Sequence, residues 1–234
     1  MVDTDTAAAI DLLNQLLMPN KGAALGPGEA SALTASDRDR LLAEIYAAEF
    51  GNHIACVLHC DACGSPFDID FQLPDLLASL RFPPTDATDT QESILVLEDG
   101  RRVRLPRGSD ELKLQGMSIA QAEAALLALC MVEGEATVED KAVLELLDSV
   151  APILDVELEV TCPECNATMQ AHFDLQHYLL TTIMQETSTR IVETHLLAST
   201  YGWSLHEILG LDRRHRRAYA MAIERDRSIQ VGGF

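Results

Sequence analysis

The chain is 234 residues long, 47% of them hydrophobic, with 37 acidic against 17 basic side chains and a formal charge of −20. That length allows one or two domains with a real core, and so acidic a chain argues against nucleic acid as the main partner, because phosphate binding needs a basic face. No apolar run reaches the roughly 18 residues needed to cross a bilayer. The acidic start, Met1-Val2-Asp3-Thr4-Asp5, is the opposite of a secretory signal's basic opening. The chain is therefore expected in the cytoplasm, with no membrane insertion.

In chain order, residues 7–18 predict a short helix with Ile10, Leu13, Leu16 and Leu17 on one face. Gly, Pro, Ala and Ser crowd 19–34, so residues 1–35 read as an N-terminal helix and flexible linker. Ser36 is expected to cap a firmer helix over 37–50, stopped by Gly51. A strand, the knuckle Cys60-Asp61-Ala62-Cys63, a return strand and a helical turn at 74–80 follow, then a loop over 83–92. Asp99-Gly100 between the alternating runs Ile94–Leu97 and Arg102–Leu105 predicts a hairpin.

Ser118 with Gln121, and Thr137 with Asp140, have the spacing that opens a helix; they predict helices over 119–131 and 138–150. Val156–Val160 alternates as a strand into Cys162-Pro163-Glu164-Cys165, and Met169–Phe173 returns from it. Asp174 is placed to cap a long helix to about residue 199, with Leu180, Ile183, Met184, Thr187, Ile191 and Ala198 as its stripe. Ser204 with Glu207 starts a short helix ended by Gly210, and Asp212 caps a last one to about residue 227.

The chemistry lies in the two Cys-x-x-Cys knuckles. Each sits between a strand and its return, and together they supply four thiolates, the set a tetrahedral zinc ion takes. About 98 residues separate Cys63 from Cys162, yet closing such a loop costs only about 4 kcal/mol, because the penalty grows logarithmically with length. Zinc affinities of roughly 10–16 kcal/mol in finger peptides exceed that. Cys60, Cys63, Cys162 and Cys165 are thus expected to hold one structural zinc per chain. A thiol–disulfide enzyme would instead place the first cysteine at a helix N-terminus, and a catalytic zinc would keep an open position. Cys56 and Cys130, in apolar surroundings, read as core residues.

No catalytic constellation accompanies the knuckles. His206-Glu207 lacks the second histidine of a zinc protease, Asn166-Ala167-Thr168 is a sequon without a secretory route, and no phosphate-binding glycine loop is present. Arg213, Arg214, Arg216 and Arg217 form the one basic cluster, readable either as a solvated helix face paired with nearby acids or as a docking patch. Trp203, the single tryptophan, reads as a packing anchor or a partner-binding hot spot. The expected fold is α+β. A zinc-ribbon-like β core over 36–174 carries an inserted hairpin-plus-helices segment (83–152), and a C-terminal helical region covers 175–234.

The ordered series also carries a family resemblance. It comprises Leu41 to Gly51 leading into Cys60-x-x-Cys63-Gly64, then Leu105-Pro106-Arg107-Gly108-Ser109-Asp110. Thr161-Cys162-Pro163-Glu164-Cys165 and Phe173-Asp174-Leu175 follow, and Tyr201-Gly202-Trp203-Ser204 leads to Glu207–Leu211 and the arginines with Tyr219. In that order the chain resembles the baseplate proteins of T4-like contractile phages, which have relatives in prophages and bacterial contractile injection systems. The resemblance spans roughly 37–227 and is strongest in the second knuckle and the Tyr-Gly-Trp-Ser segment. It implies a structural or assembly protein of a baseplate or its hub, docking on other baseplate proteins, with no enzymatic activity and no small-molecule substrate. Trp203 and the four arginines are the expected partner-binding residues. From the residues alone, a zinc-ribbon adaptor of transcription or RNA metabolism is the alternative, and the charge opposes it.

Overall fold

A computed structural model of the chain describes residues 6–17, 28–80 and 94–231, with side chains through 227. The expected loop over 83–92 and most of the expected linker lie outside the described residues. The chain divides into two compact units between Leu180 and Thr181.

In the first unit, α1 (Thr6–Leu16) buries Ala9, Ile10 and Leu13. After a 3-10 turn at Ala30–Ala32, α2 (Ala35–Phe50) starts two residues earlier than expected. Thr34 is the cap: its hydroxyl accepts from the Asp37 N–H at 3.1 Å and donates to the Asp37 carboxylate at 2.8 Å. The hydroxyl thereby satisfies one of the first turn's unpaired N–H groups, and Ser36 lies buried inside that turn. Two charged residues of α2 are buried as well. Arg38 makes a paired bridge to the Glu111 carboxylate, both contacts at 3.0 Å. Asp39 accepts from the Leu154 N–H at 2.7 Å. Burial pushes its carboxyl up to about 6, against the pull of that N–H and of Arg38.

Strands β1 (His53–His59) and β2 (Pro66–Gln72) form an antiparallel ribbon, and α3 (Leu73–Ser79) follows directly. The predicted hairpin is present as β3 (Ile94–Val96) and β4 (Arg102–Arg104). Beyond it come a one-turn helix not expected from the sequence, α4 (Gly108–Glu111), and then α5 (Ile119–Cys130). A third strand, β5 (Met131–Glu133), pairs with β4 where the sequence suggested the end of a helix. Arg102 bridges Glu133 across that pairing at 2.9 Å, and the chain switches from helix to strand at Met131. Helix α6 (Lys141–Val150) also starts later than expected. Asp140 caps it, accepting from the Val143 N–H at 3.4 Å, and takes the Arg101 guanidinium as well. Leu97, Val103, Leu127, Cys130 and Val143 close a small core here. Strands β6 (Asp155–Thr161) and β7 (Thr168–Asp174) then form a second antiparallel ribbon, and Asp174 caps α7 (Leu175–Tyr201) through the His177 N–H at 3.2 Å. The fold is α+β, with small antiparallel sheets.

The two ribbons are copies of one design, related by a constant offset in the sequence. Both have seven paired residues per strand and six residues between strands. Leu73 at the start of α3 donates its N–H to the Asn52 carbonyl at 2.8 Å, and Leu175 at the start of α7 donates to Leu154 at 2.9 Å. His53 pairs diagonally with Asp70 at 3.2 Å; in the second ribbon Asp155 pairs with His172, the two roles exchanged. Phe71 and Phe173, equivalent positions, meet edge to face with centroids 5.2 Å apart. An equivalent pair in mutual contact is the sign of an approximate twofold axis between the ribbons.

In the second unit, α7 continues from Thr181, a capping box of Ser204 and Glu207 opens α8 (Leu205–Leu209), and Asp212 caps α9 (Arg213–Val231). Leu196, Leu197, Ile208, Ala220 and Ile223 form the core, with Trp203 against it. The stripe expected on α7 holds at Leu180 but fails further on, since Ile191 is 66% exposed and Ala198 is also exposed, while Glu193 is buried. The buried face there combines Leu196 and Leu197 with Glu193, which joins an ion-pair network, so apolar periodicity alone does not locate it.

The Asp155–His172 diagonal gives a pH signature. The Asp155 carboxylate beside His172 holds that imidazole above its ordinary value. A histidine raised by folding stabilises the fold fully below its unfolded value of about 6.5, and the benefit is lost as pH rises through the folded value. The stability gap between the native chain and Asp155→Asn should therefore be larger at acid pH, provided Asp155 stays ionised, than in mild alkali. Denaturant titrations across that range measure it, and NMR should find His172 titrating lower in the variant.

Candidate metal centre

Each knuckle is built by its ribbon. The last strand pair, His59 with Pro66 or Thr161 with Thr168, places the first cysteine at the ribbon tip. Cys60 donates its N–H to the Ser65 carbonyl at 3.0 Å and accepts from the Gly64 N–H at 2.8 Å. Cys162 repeats this with Ala167 at 3.0 Å and Asn166 at 2.9 Å. To return, the chain must pass through the left-handed region after the second cysteine. Gly64 does so at φ 73° and Asn166 at φ 57°, the two residue types that tolerate it best. Asn166, which the sequence offered only as a sequon, is the turn residue of the second knuckle.

The four sulfurs converge, all within 4.8 Å of one another. Cys60 Sγ lies 3.6 Å from Cys165 Sγ, and Cys63 Sγ lies 3.9 Å from Cys162 Sγ. These two pairs exchange under the approximate twofold. A tetrahedral ion with metal–sulfur bonds near 2.3 Å separates its ligands by about 3.8 Å, so the two close pairs match the spacing such an ion imposes. Cys60 and Cys162 are buried and Cys63 and Cys165 exposed, so the site has a closed base and an open lip. The base is apolar: Phe67 packs with Cys60 and Cys162, and Leu58, Ile69, Val160 and Met169 surround them.

Protonation favours a cation. Hydrogen bonds from the Ser65 side chain and backbone hold the Cys63 thiol down at about 6. The Ala167 N–H pulls Cys165 the same way, but sharing with Cys60, Cys63 and Cys162 pushes it up to about 12. One thiolate forms readily; four adjacent ones repel unless a metal ion sits among them. Of the other cysteines, Cys130 is buried, its thiol pushed up to about 11 by burial, and Cys56 is half-buried. His59 is exposed on β1.

The expected partner-binding residues lie in the second unit and divide into two groups. Arg216 is buried and donates from Nε to Glu193 at 2.7 Å; Glu193 is itself 4% exposed. Arg217 reaches Glu186 at 2.8 Å and Glu193 at 3.4 Å, and Arg213 reaches Glu186 at 3.4 Å. Three of the four arginines thus serve an internal network, and Arg214 is exposed. Sequence reasoning missed Glu186 and Glu193; the signal was two carboxylates one heptad apart on one helix face. Trp203 is half-buried, stacked on Tyr201 at 5.0 Å and edge-on to Tyr219 at 5.2 Å. Tyr201 and Tyr219 are 44% and 41% exposed.

Comparison with family models, with curated proteins and with solved structures returns no match. The site's own geometry is what its reading rests on.

The buried network yields a prediction. Glu193→Gln strands the Arg216 guanidinium in the core with only Glu186, 3.7 Å away, so unfolding free energy should fall by about 3 kcal/mol. Adding Arg216→Met should recover most of the loss. Urea unfolding followed by circular dichroism reads both.

Proposed function

We propose that the chain is a structural or assembly protein of a contractile-tail or contractile injection-system baseplate. In this reading it acts by docking on other baseplate or hub proteins and is fastened by one zinc ion held by Cys60, Cys63, Cys162 and Cys165. The observation that carries the metal half is the spacing of the four sulfurs, 3.6 and 3.9 Å in the exchanging pairs. Four thiolates fill a tetrahedral shell and leave no position for a substrate or an activated water, which favours a structural over a catalytic ion. The two ribbons and the paired knuckles suit a zinc-ribbon arrangement whose halves come from distant parts of the chain. The baseplate half rests on the ordered series of motifs from Leu41 to Tyr219.

For docking, the aromatic group Tyr201–Trp203–Tyr219 is the favoured anchor, with Leu205 60% and Leu209 50% exposed on the adjoining α8. Large rigid rings presented at a surface are the usual energetic centres of interfaces. Arg214 adds a solvent-facing charge beside them in sequence. No helix among the described residues is long and apolar enough to cross a membrane.

Two experiments test the two halves. Elemental analysis of the purified chain should find about one zinc per molecule and no iron, the other metal a four-thiolate site takes. Cys162→Ser should release the metal and lower the melting temperature sharply, while Cys56→Ser leaves metal content unchanged. A metal-free native protein with an unchanged melting curve in chelator would refute the clasp. For the baseplate, co-expression with contractile-tail baseplate and spike proteins from the same genome should give a stable complex, weakened by Trp203→Ala. A chain that stays monomeric with all of them refutes that assignment.

A further inference from the structure

The ribbons have edges, and the edges are not treated alike. In an antiparallel pair, residues alternate between bonding their partner and pointing their backbone groups away from it. The Cys60–Ser65 bond fixes the phase in the first ribbon, so Phe67, Ile69 and Phe71 bond β1 while Asp68 and Asp70 turn their N–H and C=O outward. The Cys162–Ala167 bond does the same in the second, leaving Glu157 and Glu159 outward on β6. On β1 the outward groups of Ala55 and the outward carbonyl of His53 are already occupied. The Tyr178 hydroxyl accepts from the Ala55 N–H at 3.2 Å and donates to its carbonyl at 3.0 Å, and Tyr46 donates to the His53 carbonyl at 2.8 Å.

The outward edges of β2 and β6 instead flank one groove of about 520 Å³. Half-buried Ile69, Phe71, Leu158 and Val160 line it, and Asp68, Asp70, Asp75 and Glu159 supply its charge. No Lys, Arg or His lines it. Asp68, Asp75 and Glu159 have no ion pair among the described residues, and Asp70 has only exposed His53. Acids on an open edge repel a second copy of the same edge, and a chain of charge −20 strengthens that repulsion.

We propose that this groove is a docking site for an extended segment of a partner protein in which basic and apolar residues alternate. A strand added to the β2 edge sets its side chains beside Asp68 and Asp70 on one face and beside Ile69 and Phe71 on the other. The alternation therefore has to match: cationic residues against the aspartates, apolar ones against the groove floor. Main-chain bonds supply affinity and the charge pattern supplies selectivity. The inference is independent of which assembly the chain serves.

The test uses the full-length protein and a fluorescent peptide of about eight residues alternating lysine and valine. Two controls accompany it: a block peptide with the lysines and valines segregated, and a peptide alternating glutamate and valine. Anisotropy at low salt should show saturable binding of the alternating cationic peptide and at least about ten-fold weaker binding of both controls. Asp68→Lys with Glu159→Lys should weaken binding by about ten-fold or more, and the milder Asp68→Asn with Glu159→Gln by less. Circular dichroism identical to the native chain certifies that both variants fold. Hydrogen exchange should slow at the Asp68 and Asp70 amides on binding. No saturable binding overturns the proposal. So does equal affinity for the block peptide, or affinity unchanged in folded Asp68→Lys/Glu159→Lys, or protection confined to other strands.

Discussion

The two ribbons depend on four sulfur atoms meeting at their tips. An isolated two-stranded hairpin is at best marginal in water, and neither ribbon carries a third strand. Each exposes one polar face and turns one apolar face inward, where Phe67, Ile69, Val160 and Met169 surround Cys60 and Cys162. That shared core is small, so its register has to be fixed by something stronger than packing. The cysteine cluster does this at one end of the ribbons, and the Phe71–Phe173 contact does it toward the other. An edge-to-face aromatic pair adds about 0.5–1.5 kcal/mol beyond its burial. A metal ion bound by the four sulfurs stabilises the pairing by about ten times as much.

Because the ribbons are equivalent, the clasp has a symmetry that bears on its chemistry. Each half contributes one buried and one exposed cysteine, and each close contact joins the buried cysteine of one half to the exposed cysteine of the other. Neither half can close a tetrahedral shell alone. An ion bound there would therefore bind only as the ribbons pair, coupling the closure of this long loop to the filling of the site.

How much of this was legible can be read from particular residues. The cysteines, the strands around them and the Asp99-Gly100 hairpin were visible, because thiolate spacing and turn chemistry are local. The equivalence of Gly64 and Asn166 was harder to see, since it needs the left-handed backbone to be recognised under two different side chains. The stripe on α7 misled for a different reason. Apolar periodicity assumes that buried means hydrophobic, whereas Glu193 is buried because Arg216 needs it. Thr34 and Asp140 displaced the expected caps because each also makes a second polar contact, to Asp37 and Arg101. Long-range polar pairs such as Arg38 with Glu111 and Asp39 with Leu154 leave no mark in a local window.

The two halves share a design up to one residue and then part. Leu73 and Leu175 start their helices with the same bond to the residue before the ribbon. Helix α3, with Pro74 in its first turn, ends at Ser79, while α7 runs on to Tyr201. A repeat whose two halves meet at their own cysteine cluster frees whatever follows it from joining them. In the second half, that freedom went to a helix long enough to bear both the carboxylates that neutralise the arginines of α9 and the tyrosine that stacks on Trp203. Within the second unit Arg213, Arg216 and Arg217 are held by Glu186 and Glu193, so the charge of their helix is largely met by its own neighbour rather than left for solvent.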